Sequence, residues 1–152
     1  MIAVTTGGNH PAAVRSILDT IPDWFGLPES NEDYVAKADL LRNVVARDGD
    51  EIVGICLLLD HNPQSVEIDL LAVPHHRHRQ GIGSAILEHV ERELQERGVR
   101  LLHLKTFGPS IHNEPYARTR AFYAAHGFLP MEERVDIWDA DNPCLFLVKL
   151  LA

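Results

Sequence analysis

The residues with the clearest chemical capacity are Arg77-His78-Arg79-Gln80-Gly81-Ile82-Gly83-Ser84, which stand between an apolar run and an amphipathic segment. Where a strand gives way to a helix, backbone N–H groups without intrahelical partners converge on one point and attract an anion. Glycine at 81 and 83 leaves no Cβ between a ligand oxygen and the main chain, and it permits the angles that aim successive N–H groups inward. The loop from Gln80 through Gly81, Ile82 and Gly83 to Ser84 is therefore read as a phosphate cradle. The Ser84 hydroxyl is a further donor, and Arg77 and Arg79 supply local positive charge for a diphosphate or a 3′-phosphate. A dinucleotide fingerprint would need a third small residue where Ile86 stands, and a P-loop would need Gly-Lys-Ser/Thr, so neither nucleotide fold is indicated. Taken alone, the two glycines serve equally well to turn a strand into a helix.

Other reactive side chains are sparse. His75, His76 and His78 crowd one short loop with Arg77 and have no nearby cysteine or spaced carboxylate, which is a poor tetrahedral set, so no metal is expected. Cys56 and Cys144 lie far apart without CxxC spacing and read as buried structural thiols. Trp24, Phe25, Glu29 and Tyr34 combine aromatic faces with one carboxylate. Such a set suits one wall of a pocket for a cationic amine, and it suits core packing equally.

These residues need elements to position them. Residues 11–19 read as a short helix, followed by a heavily punctuated loop, and residues 31–38 as a second helix capped by Asn31 or Ser30. Asp48-Gly49-Asp50 joins strands at 43–47 and 51–59 as a hairpin. A further strand at 66–73 alternates at first and closes on a continuous apolar stretch, ended by Pro74. Ile82, Ile86, Val90 and Leu94 recur every four residues with charges on the other faces, and Gly98 supplies a stop. With a strand at 99–106, the order strand, helix, strand predicts a parallel crossover unit. A helix over 115–126 ends at Gly127, and strands at 128–137 and 144–150 flank the polar turn at 139–143.

Composition bounds the function. A chain of 152 residues accommodates one continuous core and one site, so residues 1–152 are read as a single domain. A formal charge of −8 repels an extended phosphate backbone and excludes nucleic acid as the main partner. The longest apolar stretch, at 52–59, is too short to span a bilayer, and no basic segment precedes an apolar run near Met1. No membrane association is expected and cytoplasm is the default; monomer and homodimer both stay open.

Two segments, taken in order, carry a family resemblance. His78-Arg79-Gln80-Gly81-Ile82-Gly83, after a strand ending in an apolar-x-Val pattern, is similar to the Gln/Arg-x-x-Gly-x-Gly/Ala phosphate loop of the GCN5-related N-acetyltransferase (GNAT) family. Ala121-Phe122-Tyr123-Ala124-Ala125-His126-Gly127-Phe128 resembles the family's Phe-Tyr-x-x-x-Gly-Phe ending of its last helix. His78 departs from the pattern, standing where Gln or Arg is usual. The resemblance covers roughly residues 51–150 and is weakest before residue 38.

What the resemblance implies is an α/β protein with a GNAT-like acyl-CoA N-acyltransferase fold: a mixed, mostly antiparallel sheet with one parallel crossover and flanking helices. It implies acetyl-CoA as cosubstrate and an amine acceptor, a small molecule before a protein. The pantetheine arm would pair with the strand end at Leu71 and Val73, a bulge near 71–73 would open the sheet, and a Val73 N–H would steady the oxyanion. Tyr123 would protonate the leaving thiolate; otherwise it is an aromatic packed beside Phe122. A protonated amine needs a base, and strand alternation places Glu67 and Asp69 on one face with Leu71 and Val73. Glu67 stands slightly ahead of Asp69, and both also fit a partly exposed strand. The alternative is a non-catalytic acyl-CoA-binding sensor or scaffold.

Overall fold

The computed structural model describes residues 1–152. Its centre is a seven-stranded sheet built from β1 (Ile2–Thr6), β2 (Arg42–Asp48), β3 (Glu51–Asn62), β4 (Ser65–Ala72), β5 (Leu101–Phe107), β6 (Leu129–Asp139) and β7 (Asn142–Leu150), in the order β1-β2-β3-β4-β5-β7-β6. Four helices flank it: α1 (Pro11–Leu18), α2 (Pro28–Lys37), α3 (Ile82–Glu96) and α4 (Glu114–Ala125). All strand pairs are antiparallel except β4 and β5, the two joined by α3. This is the mixed sheet with one crossover that the sequence implies.

Both faces of the central strands are buried, which explains the unbroken apolar run of β3. Val44, Cys56, Leu58, Val66, Ile68, Leu102 and Leu104 pack under α3 and α4; Val45, Ile55, Leu57, Leu70 and Ala72 pack under α1 and α2. Gly54 belongs to the first face: a Cβ there would stand 2.8 Å from Ile86 Cδ1, so α3 lies flat on β3 only because that position is glycine. Cys56 and Cys144 are fully buried, and burial pushes both thiols up, so neither is a ready nucleophile.

Three local readings change. The first residues form β1, an edge strand on β2 that the sequence reading does not include. Helix α2 begins at Pro28 with Leu27 as its cap residue, not at Asn31 or Ser30. Proline at the first helical position sacrifices a donor that has no acceptor there, and its fixed φ suits the turn. The β-bulge in β4 falls at Asp69, earlier than 71–73. Leu57 pairs with Leu70 and Leu58 with Ile68, leaving Asp69 as the extra residue.

That single insertion overturns the predicted face. Alternation carries Glu67 to the α1 and α2 side, but beyond Asp69 the phase shifts, so Leu70 and Ala72 join that side while Leu71 and Val73 face α3. The carboxylates and Leu71 and Val73 therefore lie on opposite faces.

Candidate active site

The parallel ladder between β4 and β5 runs only from Ser65 and Leu101 to Ile68 and Leu104. Beyond it the strands part, and the edge of β4 from Asp69 onward has no strand partner on the β5 side. Two clefts open from this fork. One, of about 840 Å³, runs along Leu71, Ala72 and Val73 to the loop before α3; the other, of about 460 Å³, lies toward α2, β5 and the end of β6. Trp24, Phe25, Leu71, Thr119 and Tyr123 border both. Tyr123 stands at their junction.

In the larger cleft the chain makes one 3₁₀ turn at His75–Arg77, then passes Arg79 with φ 62° and Gly81 with φ 78° before α3 begins. Every N–H from Arg79 to Ser84 is left without a protein acceptor; the first of the helix to find one is Ala85, bonded to the Gly81 carbonyl. Gly81 also caps α3 without any side-chain bond. A Cβ at Gly83 would sit 3.1 Å from Phe122 Cζ, so this glycine lets α4 close on the start of α3. The arrangement is a row of donors at the positive end of a 15-residue helix.

The side chains around this loop are tied to the protein. Arg77 binds Asp48 at 2.8 Å, Gln80 reaches the His76 carbonyl at 3.3 Å, and the Ser84 hydroxyl meets His126 Nε2 at 2.9 Å. Arg79 remains exposed at the cleft mouth. His78 Nε2 lies 2.7 Å from the Val73 carbonyl. A carbonyl only accepts, so Nε2 carries the proton and His78 clips the loop to the end of β4. Its ring meets the edge of Trp24 at 5.5 Å, and Trp24 Nε1 donates to Pro115 and Thr119 of α4 at 3.0 Å. The departure from the family pattern at 78 is thus a brace joining loop, strand and last helix.

The smaller cleft is aromatic. Trp24, Phe25, Tyr34, Phe107, Tyr116 and Trp138 share its walls, and Asp69 is the carboxylate of β4 that faces it. Lys37 Nζ lies 3.3 Å from Asp69, in a geometry that bonds Oδ1 and leaves the buried Oδ2 without a hydrogen bond. Burial, reinforced by the Asp69 charge, pushes the Tyr34 phenol up to about 12; burial alone does the same for Tyr116, whose hydroxyl donates to the Trp24 carbonyl at 2.6 Å. Burial also pushes up the Tyr123 phenol, which makes no hydrogen bond within the protein and stays neutral.

Two predicted residues stand elsewhere. Glu29 is exposed on the outer turn of α2 and off the cleft, where Ser30, Asn31 and Tyr34 take its place. A helix begun at Pro28 rather than at Asn31 sets that rotation. Glu67 lies behind the cleft wall, bonded to His61 at 2.8 Å and to Lys105 at 3.0 Å. Burial alone would raise its carboxyl, but these two bonds and the lysine charge prevail and hold it below the usual range. A carboxylate so lowered contributes stability above the ordinary glutamate range near pH 4.3 and loses it as pH falls through the lower folded value. Glu67→Gln should accordingly flatten the acid limb of a plot of urea midpoint against pH. An acid limb identical to the parent's would remove the ion pair from that role.

Tyr116, Phe107 and Trp138 are cleft residues that the sequence reading does not include. Asn113 caps α4 by accepting from the Tyr116 N–H, and it lines the same cleft.

Comparison with known proteins agrees with this geometry. The family model described as an Acetyltransferase (GNAT) domain matches residues 40–130, so the chain belongs to the GNAT acetyltransferase family. No curated protein matches it by sequence. Among solved structures, a protein assigned to the GNAT family from Desulfovibrio desulfuricans superposes with a TM-score of 0.88 at 21% identity, over 100% of both chains. The ribosomal-protein-S18-alanine N-acetyltransferase from Escherichia coli gives 0.80 at 19%, over 100% of this chain and 95% of that one. A GNAT family acetyltransferase from Elizabethkingia anophelis with acetyl-CoA bound gives 0.72 at 19%, over 99% and 98%. No helix of this chain is long and apolar enough to cross a membrane.

Proposed function

We propose that this chain moves the acetyl group of acetyl-CoA directly to the primary amine of a small molecule. The observation that carries the reading is the row of N–H groups from Arg79 to Ser84 opening on a cleft that meets a second, aromatic cleft at Tyr123. The diphosphate of the coenzyme sits against those donors, with Arg79 at the rim. The pantetheine arm follows the free edge of β4 past Val73 and Leu71, and the thioester reaches the fork. The bound acetyl-CoA of the Elizabethkingia relative supports this assignment.

The amine enters from the aromatic side, where Asp69 takes its proton before attack. Its nitrogen adds to the thioester carbonyl, a main-chain N–H near Val73 steadies the oxyanion, the C–S bond breaks as Tyr123 gives its proton to the departing thiolate, and the second proton shed by the acylated nitrogen returns through water to the phenolate. Asp69 is preferred to Glu67 because it faces the cleft, whereas both oxygens of Glu67 are already engaged. A walled cleft of about 460 Å³ suits a compact cation held by aromatic faces better than an extended peptide.

Labelled acetyl-CoA, incubated with the protein and a pooled amine library, should yield acetylated small amines. Tight CoA binding with no transfer to any amine would favour the sensor reading. For the best acceptor, Asp69→Asn should lower kcat/KM about 100-fold with acetyl-CoA affinity unchanged. If Glu67→Gln has that effect in steady-state kinetics and Asp69→Asn does not, the base is Glu67.

A further inference from the structure

The sheet carries a second bulge, remote from the coenzyme loop. In β3 the register passes from Asp60 opposite Val66 to Asn62 opposite Ser65, so His61 is the extra residue. Bulges re-aim side chains, and this one brings His61 Nε2 to 2.8 Å from Glu67 Oε1. On the other side of β4, Glu67 is paired in register with His103 of β5. The His61 and His103 rings lie 5.1 Å apart, and one nitrogen of each and one Glu67 oxygen fall within 4.8 Å of one another. Ser65 Oγ is 2.9 Å from His103 Nε2, and Lys105 Nζ is 3.0 Å from Glu67 Oε2.

The geometry points to a site for a divalent transition metal of the zinc type, held by His61, Glu67 and His103. Two imidazoles and one carboxylate are a donor set that zinc accepts with a water in the fourth position. The ligands come from three adjacent strands, so the sheet itself fixes their spacing. Zinc bonds of about 2.0–2.1 Å place tetrahedral ligand atoms roughly 3.4 Å apart. His61 Nε2 and Glu67 Oε1 stand closer than that, at 2.8 Å, so an ion between them replaces this hydrogen bond and His61, the exposed member, draws back to admit it. Lys105 holds Oε2 and leaves Oε1 to the ion, the outer contact that commonly orients a ligating carboxylate. The loop histidines 75, 76 and 78 lack such a carboxylate, and His78 is already committed to Val73.

This site is independent of acyl transfer, and direct metal binding tests it. Titrating the full chain with Co2+ should give the visible ligand-field bands of a tetrahedral site, saturating at one ion per chain and bleached by Zn2+. His61→Ala and His103→Ala should each weaken binding at least about 10-fold, and the double variant should abolish the bands, with far-UV circular dichroism unchanged. His76→Ala should leave the titration as it is. Absence of saturable bands, or binding that follows His76 and survives the double variant, would overturn the assignment.

Discussion

Gly81→Trp is expected to remain folded and to lose the thermal stabilisation that acetyl-CoA confers on the parent chain. At φ 78° a side chain at 81 is strained, at a cost of roughly 1–2 kcal/mol, but its Cβ would meet nothing within 4 Å. A domain of ordinary stability, about 5–15 kcal/mol, tolerates that. What the indole does is fill the approach to the N–H groups of residues 79–84, against which the proposed reading seats the diphosphate. At a ligand concentration about 100 times Kd, the parent gains about 2.7 kcal/mol, or roughly 5–10 °C in Tm for a chain of this size. The variant should gain less than about 1 °C. Gly98→Trp is the control, because Gly98 also has a positive φ and open space but stands at the far end of α3. If both variants keep the shift, the coenzyme does not depend on this loop.

The loop was legible in the sequence because its chemistry is local. Two glycines between an apolar strand and an amphipathic helix dictate free donors at a helix start whatever surrounds them, and the structure leaves those donors without acceptors. The period of Ile82, Ile86, Val90 and Leu94 likewise sets α3 against the sheet, and the crossover it makes determines that β4 and β5 run parallel.

What was not legible is the phase of β4. Period-two reading assumes every residue has a cross-strand partner, and the unpaired residue at Asp69 depends on β3, whose register no local pattern encodes. Its consequence is chemical. Without the bulge, Glu67 and Asp69 would share a face with Leu71 and Val73; with it, Asp69 lines the aromatic cleft and Glu67 is joined to His61 and Lys105 behind it. The same holds for α2, where the choice of Pro28 as first residue turns Glu29 outward and Tyr34 inward. Side-chain partners of the loop were equally hidden: nothing in the spacing of Ser84 and His126, or of Arg77 and Asp48, foretells those contacts.

Tyr123→Phe should lower kcat about 100-fold while leaving the KM for acetyl-CoA within about twofold. The hydroxyl is the only atom lost, and it makes no hydrogen bond within the protein, so packing against Phe122 and Phe128 is retained and the fold is not at risk. An aromatic that serves packing alone would show no change in turnover. The pH profile adds a second test. Burial raises the phenol above its ordinary pKa of about 10, so the acid form persists through the whole range in which an amine becomes a free base. The parent should therefore show no loss of kcat as pH rises toward 10. A descending limb below that value, absent from Tyr123→Phe, would mean that the phenol ionises normally and that burial does not keep it poised as an acid. Single-turnover measurements separate the step: if release of the thiol is as fast in the variant as in the parent, the proton reaches sulfur by another route and Tyr123 only closes the junction of the two clefts.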